Sequence, residues 1–282
     1  MARSKSDSPP LIELPPLGPP TDRFERRAKR KGARLVAGVD EAGRGPLAGP
    51  VVVAAVVFER GRYPDGLDDS KKLTAIERER LYGLILDRAT VSVVVASRAR
   101  VDRMNILRAS LWGMSRAVAG LACRPDHVLV DGNMLPPGLA CAAEAIVSGD
   151  ALSVSIAAAS IVAKVTRDHL MISVGRAFPD YGFERHMGYS TPAHFEALDR
   201  HGPCEHHRRS FAPVRAALGL DTVTEDLFAT GNKESALAPE APSTPVASPN
   251  PDTRTPPPPS WGRASDLGVA GGEAAKTPRA GG

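Results

Sequence analysis

Apolar residues in this chain fall into short unbroken runs and longer periodic ones. Residues 35–39 and 50–58, the latter with valine at five of nine positions, are apolar throughout, which predicts strands buried on both faces. Residues 91–96, 127–130 and 143–147 predict three more strands. Helical spacing marks the intervals. Thr74 and Glu77 form a capping-box pattern that opens a helix to about residue 88, with Ile76, Leu81, Leu84 and Ile85 as its buried face. Residues 105–121 predict a second helix with Leu107, Leu111, Met114 and Val118 inward. Residues 155–177 predict a long helix rich in alanine and serine, suited to close approach on a sheet. Thr191 and Pro192 open a helix to about residue 200, and a short one is expected over 213–218. The reading is α/β, with five strands flanked by helices and a helical C-terminal portion.

Composition divides the chain. It has 282 residues, 42% of them hydrophobic, with 26 prolines and 26 glycines. The prolines crowd the ends, so residues 1–20 and 223–282 are expected to be disordered, leaving residues 21–222 as the folded domain. Net charge is +4, compatible with a polyanionic partner. A basic run from Arg23 to Arg34 precedes the first strand; it reads as a solvated tether or as a phosphate-binding arm. Cys123, Cys141 and Cys204 form no CxxC pair and imply no disulfide framework, which makes the cytoplasm the default compartment. No apolar stretch of about 18 residues predicts a membrane span.

Candidate chemistry sits where strands end. The first strand runs into Asp40-Glu41, then Ala42-Gly43-Arg44-Gly45-Pro46, and the fourth ends in Asp131-Gly132. Neighbouring residues of an extended chain face opposite ways, so Asp40 and Glu41 can share a site only where the strand ends or bends. Two adjacent acids repel unless a cation or proton lies between them. Asp168, on the long helix, either pairs with Lys164 or Arg167 or points at a site. Four carboxylates with no Cys/His ligand set suit Mg²⁺ or Mn²⁺, and two such ions about 4 Å apart can drive displacement at phosphorus. A zinc site from Cys204, His206 and His207 lacks the usual spacing, and the third glycine of a dinucleotide fingerprint would fall at Ala48.

Six ordered blocks now make a pattern: Asp40-Glu41-Ala42-Gly43-Arg44-Gly45-Pro46, Asp69-Ser70-Lys71-Lys72-Leu73, Val130-Asp131-Gly132, the stretch from Ser155 to Asp168, His186-Met187-Gly188-Tyr189, and His207-Arg208-Arg209-Ser210-Phe211. Together they closely resemble bacterial ribonuclease HII, over about residues 35–215. The resemblance implies a ribonuclease H-like mixed five-stranded sheet, and cleavage of the RNA strand of RNA–DNA hybrids. It also implies incision 5′ to a ribonucleotide in duplex DNA, leaving a 3′-hydroxyl and a 5′-phosphate. By position, Asp40, Glu41, Asp131 and Asp168 match the metal-binding, catalytic carboxylates. Gly43-Arg44-Gly45 matches the segment that reads the ribose 2′-hydroxyl, and Tyr189 the tyrosine that stacks on the following deoxyribose. Lys71 is a candidate phosphate contact. His207-Arg208-Arg209 is divided between backbone binding and packing. A monomer is expected. The alternatives are a ribonuclease HIII-like nuclease and, from another class, a catalytically silent hybrid-binding module.

Overall fold

The computed structural model describes residues 18–58 and 61–220; the segments expected to be disordered lie largely outside them. Five strands, β1 (Val36–Ala42), β2 (Val51–Val57), β3 (Thr90–Ala96), β4 (His127–Asp131) and β5 (Ala142–Ile146), form one sheet in the order β3-β2-β1-β4-β5. β1–β2 and β2–β3 are antiparallel, whereas β1–β4 and β4–β5 are parallel. The sheet is therefore mixed, as expected. All seven residues of β2 are buried, which explains its uninterrupted valine and alanine.

Alternation along the strands splits the core in two. Ala37, Val39, Val53, Val128 and Val130 face helices α3 (Arg98–Met104) and α4 (Ile106–Ala119), together with Ala109, Met114 and Ala117. The opposite face, with Val52, Ala54 and Val56, packs on helices α2 (Ala75–Arg88) and α5 (Val154–Ala177) through Leu81, Ile85, Ala158, Ile161 and Val162. The small residues of α5 have a visible purpose. A Cβ on Gly38 of β1 would lie 2.1 Å from the Ser155 carbonyl carbon, so helix and strand touch backbone to backbone. Thr74 and Glu77 form the expected capping box of α2. Ile76, expected inward, is 83% exposed, because it follows the cap at a position facing solvent; Leu107 is likewise exposed.

Helices α6 (Phe183–His186), α7 (Pro192–His201) and α8 (Ala212–Ala217) follow α5, and Thr191 caps α7 as expected. The basic run is neither a loose tether nor extended. Residues Arg23–Arg30 form a helix, α1, fixed by buried Glu25, whose Oε1 accepts from Ser153 Oγ at 2.6 Å and Ser155 N at 2.9 Å.

Candidate active site

β1 runs straight through Asp40 and Glu41, pairing them with Ala54 and Val53. Parity along the strand turns Asp40 to the α5 side, where Ser160 donates to it, and turns Glu41 towards the α4 side. The two carboxylates thus straddle the strand, and Asp131 at the end of parallel β4 acts electrostatically on both. Asp40 is buried; burial, then Glu41 and Asp131, push its carboxyl well above the usual range. Burial also raises Glu41, opposed by Arg44, whose Nη1 lies 3.1 Å from Glu41 Oε1. Asp131 is raised by burial and by Asp150, against hydrogen bonds to its Oδ1 from Gly149 N at 2.7 Å and Asp150 N at 3.4 Å.

Asp150, which sequence reasoning passed over, belongs to this cluster. It lies in a short 3₁₀ turn, Gly149–Ala151, just before α5, and is only 6% exposed. Lys71 Nζ reaches Asp150 Oδ2 at 2.9 Å and Asp69 Oδ1 at 3.6 Å. Burial pulls the Lys71 ammonium down, but Asp150, Asp69 and Asp40 more than reverse this, so it stays charged. Asp168 is placed differently: its Oδ1 is held by Lys164 Nζ at 2.7 Å, one helical turn away. It is absent from the charges acting most on Asp40, Glu41 and Asp131.

The glycine-flanked loop that leaves β1 hangs from two buried arginines. Arg208 donates to the carbonyls of Gly43 (2.5 Å), Arg44 (2.9 Å), Gly49 (3.0 Å) and Pro50 (3.2 Å). Arg167 donates to those of Pro50 (3.0 Å) and Ala48 (3.2 Å). A trans peptide sets its N–H opposite its C=O. Holding the Gly43 and Arg44 carbonyls inward therefore turns the N–H groups of Arg44 and Gly45 towards the exposed side. Gly43 has φ +95°, and a Cβ there would meet Arg167 Nε at 2.0 Å, so only glycine fits. Burial, then the neighbouring Arg167, lowers the Arg208 guanidinium to about 9. His207 and Arg208 are fully buried, which settles them as packing residues, while Arg209 is exposed.

Tyr189 stands beside this loop. A Cβ on Gly45 would lie 3.9 Å from its ring, the Arg167 guanidinium lies 5.7 Å from the ring centroid, and the residue is 42% exposed. A chain of imidazoles fixes its backbone. Cys204 N donates to His207 Nδ1 at 3.0 Å, His207 and His194 share an Nε2–Nε2 bond of 3.1 Å, and His194 Nδ1 donates to the Tyr189 carbonyl at 2.8 Å. Both rings are neutral in this chain, and burial followed by His194 holds His207 down to about 4. These histidines are spent on each other and on backbone. His207, which a zinc site here would need, is thus engaged on both ring nitrogens, and among the described residues no group of three His, Cys, Asp or Glu, the acidic cluster included, is drawn together as a metal-holding set.

The blocks that carry this geometry match known proteins. The family profile described as Ribonuclease HII matches residues 37–214. A ribonuclease HII of Xanthobacter autotrophicus is 62% identical over 197 residues, covering 70% of this chain and 79% of that protein. One from Parvibaculum lavamentivorans is 58% identical over 198 residues, covering 68% and 74%. The chain belongs to the ribonuclease HII family. Among solved structures, the ribonuclease H2 of Pyrococcus horikoshii OT3 superposes with a TM-score of 0.56 at 29% identity, covering 65% of this chain and 96% of that one. A Bst ribonuclease HIII in complex with Mn²⁺ gives 0.54 at 20% identity, covering 69% and 72%, and shares the fold. Ribonuclease HII is an endoribonuclease, and the ribonuclease H-like sheet expected from sequence is the sheet observed. As a ribonuclease HII, this chain is an enzyme of a family that depends on divalent metal ions. The chemistry of its acids suits such an ion, although their side chains are not drawn together around one: the buried Oε2 of Glu41 has no hydrogen-bond partner, and burial first, then a neighbouring acid, raises each of Asp40, Glu41 and Asp131.

Proposed function

We propose that this ribonuclease HII cleaves the RNA strand of RNA–DNA hybrids and incises 5′ of single ribonucleotides within duplex DNA, leaving a 3′-hydroxyl and a 5′-phosphate. The observation that carries this reading is the junction of two features on one short segment. Asp40 and Glu41 lie in the last residues of β1 beside Asp131, and four residues later the Arg44 and Gly45 N–H groups face outward from a clamped loop. Only a 2′-hydroxyl offers such donors an acceptor that DNA lacks.

In this proposal Asp40, Glu41 and Asp131 hold Mg²⁺ or Mn²⁺, two ions during hydrolysis. Asp150, which borders Asp131, takes the fourth place that the sequence pattern assigned to Asp168. An ion held there would supply an activated water and charge stabilisation for the leaving oxygen of an in-line displacement. Lys71 pairs with Asp150 at 2.9 Å and offers its exposed ammonium, 76% accessible, to a substrate phosphate. Tyr189 presents its open ring to the sugar that follows the ribonucleotide, while Gly43, Arg44 and Gly45 inspect the ribonucleotide itself. The molecule acts as a monomer in the cytoplasm, and residues 21–222 carry the activity. Among the described residues no helix is long and apolar enough to cross a membrane.

The test is a comparison of a duplex holding one ribonucleotide with a continuous hybrid and an all-deoxy duplex, using both the full chain and one stopped at residue 222. Incision 5′ of the single ribonucleotide by both proteins is expected. Cleavage confined to the continuous hybrid would refute the reading of Gly43–Gly45.

A further inference from the structure

Helix α1 carries a concentration of charge that the fold itself does not use. Arg23, Lys29 and Arg30, with Lys31 just beyond, are exposed and make no ion pair among the described residues. Arg26 and Arg27 do pair, with Asp22 and Glu144. The side chains are also arranged. Arg23, Phe24, Arg27 and Arg30 recur at helical spacing and line one surface hollow; the Arg23 and Arg27 guanidiniums lie 4.6 and 4.9 Å from the Phe24 centroid. Arg23, set against the ring and unpaired, keeps its in-plane donors free for an anion, whereas Arg27 spends one on Glu144.

A solvated charge run would need no rigid attachment, but α1 has one. Glu25 is 2% exposed and accepts from Ser153 and Ser155, Thr21 N donates to the Leu152 carbonyl at 3.2 Å, and Phe24 and Ala28 pack on Val36, Leu129 and Ile156. Those bonds join the start of α1 to the segment that leads from Asp150 into α5. The far end of the helix points down the sheet, since only five residues separate Arg30 from Val36, the first residue of β1. Arg23 and Arg30 share one face of α1 about 10 Å apart, at 1.5 Å per residue, and Lys29 and Lys31 flank its far end, so the free cations extend away from the acidic cluster.

We propose that α1 is a second docking surface, a ridge that grips the phosphodiester backbone of the duplex beyond the nucleotide being cleaved. Duplex DNA carries a charge every ~1.7 Å of axis, so cations spread over this length span several phosphates. The contacts carry no sequence information; they lengthen the footprint and hold the duplex in register with the acids. The proposal rests on the reading of the chain as a duplex-cleaving enzyme, and its test is separable from that reading.

The experiment is a quadruple variant, Arg23→Gln, Lys29→Gln, Arg30→Gln and Lys31→Gln, which leaves Phe24, Glu25, Arg27 and Ala28 in place. Binding of the full chain to a ribonucleotide-containing duplex is measured by fluorescence anisotropy in EDTA, across 50–200 mM salt. The slope of log K against log salt is expected to flatten by about 2–4, from about 0.9 per lost phosphate contact. In cleavage assays KM is expected to rise at least tenfold with kcat unchanged within twofold, and the melting temperature to stay within about 2 °C. An unchanged slope and KM would overturn the proposal, as would a kcat loss with the slope unchanged. If the wild type failed to incise beside a ribonucleotide while the slopes still differed, the cleavage reading would fall and the docking surface would stand.

Discussion

Replacing Asp40 by asparagine should make the metal-free protein more stable while destroying its activity. The side chain is 5% exposed and ionises beside Glu41 and Asp131, which, after burial itself, raise its carboxyl well above the usual range. An acid whose native pKa is raised contributes its full stability only below its unfolded value near 4. That contribution is lost as pH rises through the folded value. Each tenfold gain in proton affinity on folding removes about 1.4 kcal/mol at neutral pH. Asparagine keeps an oxygen to accept from Glu41 N, now at 2.7 Å, and from Ser160, so the exchange removes charge more than contacts. At about 2–4 °C per kcal/mol for a domain of this size, an increase of about 3 °C or more in melting temperature is expected in EDTA at pH 7.5. Metal should reverse the order. An ion at 100 times its dissociation constant adds about 2.7 kcal/mol to the wild type, or about 5–10 °C, and little to the variant. Cleavage should fall by about three decades, since a metal supplies several kcal/mol of charge stabilisation at about 1.4 kcal/mol per decade. Thermal melts with and without Mn²⁺, beside an incision assay, read all three. A variant that melts lower than wild type in EDTA, or still gains several degrees from Mn²⁺, would refute the picture of a repelling cluster awaiting a cation.

Four further outcomes follow from the same geometry. Asp150→Asn should cost at least about tenfold in cleavage while Asp168→Asn stays within about threefold; the reverse result would return Asp168 to the metal site. Arg208→Lys loses the fork that serves four carbonyls and should lower incision at a ribonucleotide by about tenfold or more. A loss equal on continuous hybrids, with no change in preference for the single ribonucleotide, would show that the clamp sets stability alone. Tyr189→Ala should lower kcat/KM at a single ribonucleotide by about tenfold while the melting temperature moves by under about 2 °C, given the open ring; equal losses in both would make Tyr189 a core residue. Because burial and His194 hold neutral His207 at about 4 in the fold, against an ordinary value near 6.5, the unfolded chain binds the proton first as pH falls. Stability should decline between about pH 6.5 and 4, and His207→Gln should flatten that decline in a melting series; an unchanged pH profile would show that the imidazole chain does not govern it.

What could be read in advance depended on whether a residue obeys the default for its type. β2 announced itself because seven buried positions need seven apolar side chains, and α2 because Thr74 and Glu77 have one reciprocal use. Helix α3 went unseen: Val101 is its only buried residue, so no apolar period betrays it. Helix α1 hid for the opposite reason, since its anchor is a buried glutamate among arginines. At the site, Asp40, Glu41 and Asp131 stood out by following apolar strands. Asp150 follows Ser148-Gly149 and reads as an ordinary turn, and nothing local says that the turn folds back onto Asp131. Lys164, one turn from Asp168, was the available warning that this acid had a partner. The clamp was least legible of all, because arginine is ordinarily a surface residue and Arg167 and Arg208 serve carbonyls that carry no sequence signature.

The clamp also sets an order of events in folding. Its hydrogen bonds through Arg208 join residues 158–165 positions apart, and they wait on nearly the last described stretch of the chain. Closing so long a loop costs entropy before any contact repays it, so local helices and the β1–β2 hairpin form first. A partly folded or nascent chain can therefore own the acids of β1 while its sugar-inspecting loop still lacks a fixed shape. Such an intermediate would hold a hydrolytic centre without a gatekeeper. Placing the restraint at residue 208 makes discrimination the final property acquired, and makes loss of the C-terminal helices a loss of fidelity before it is a loss of chemistry.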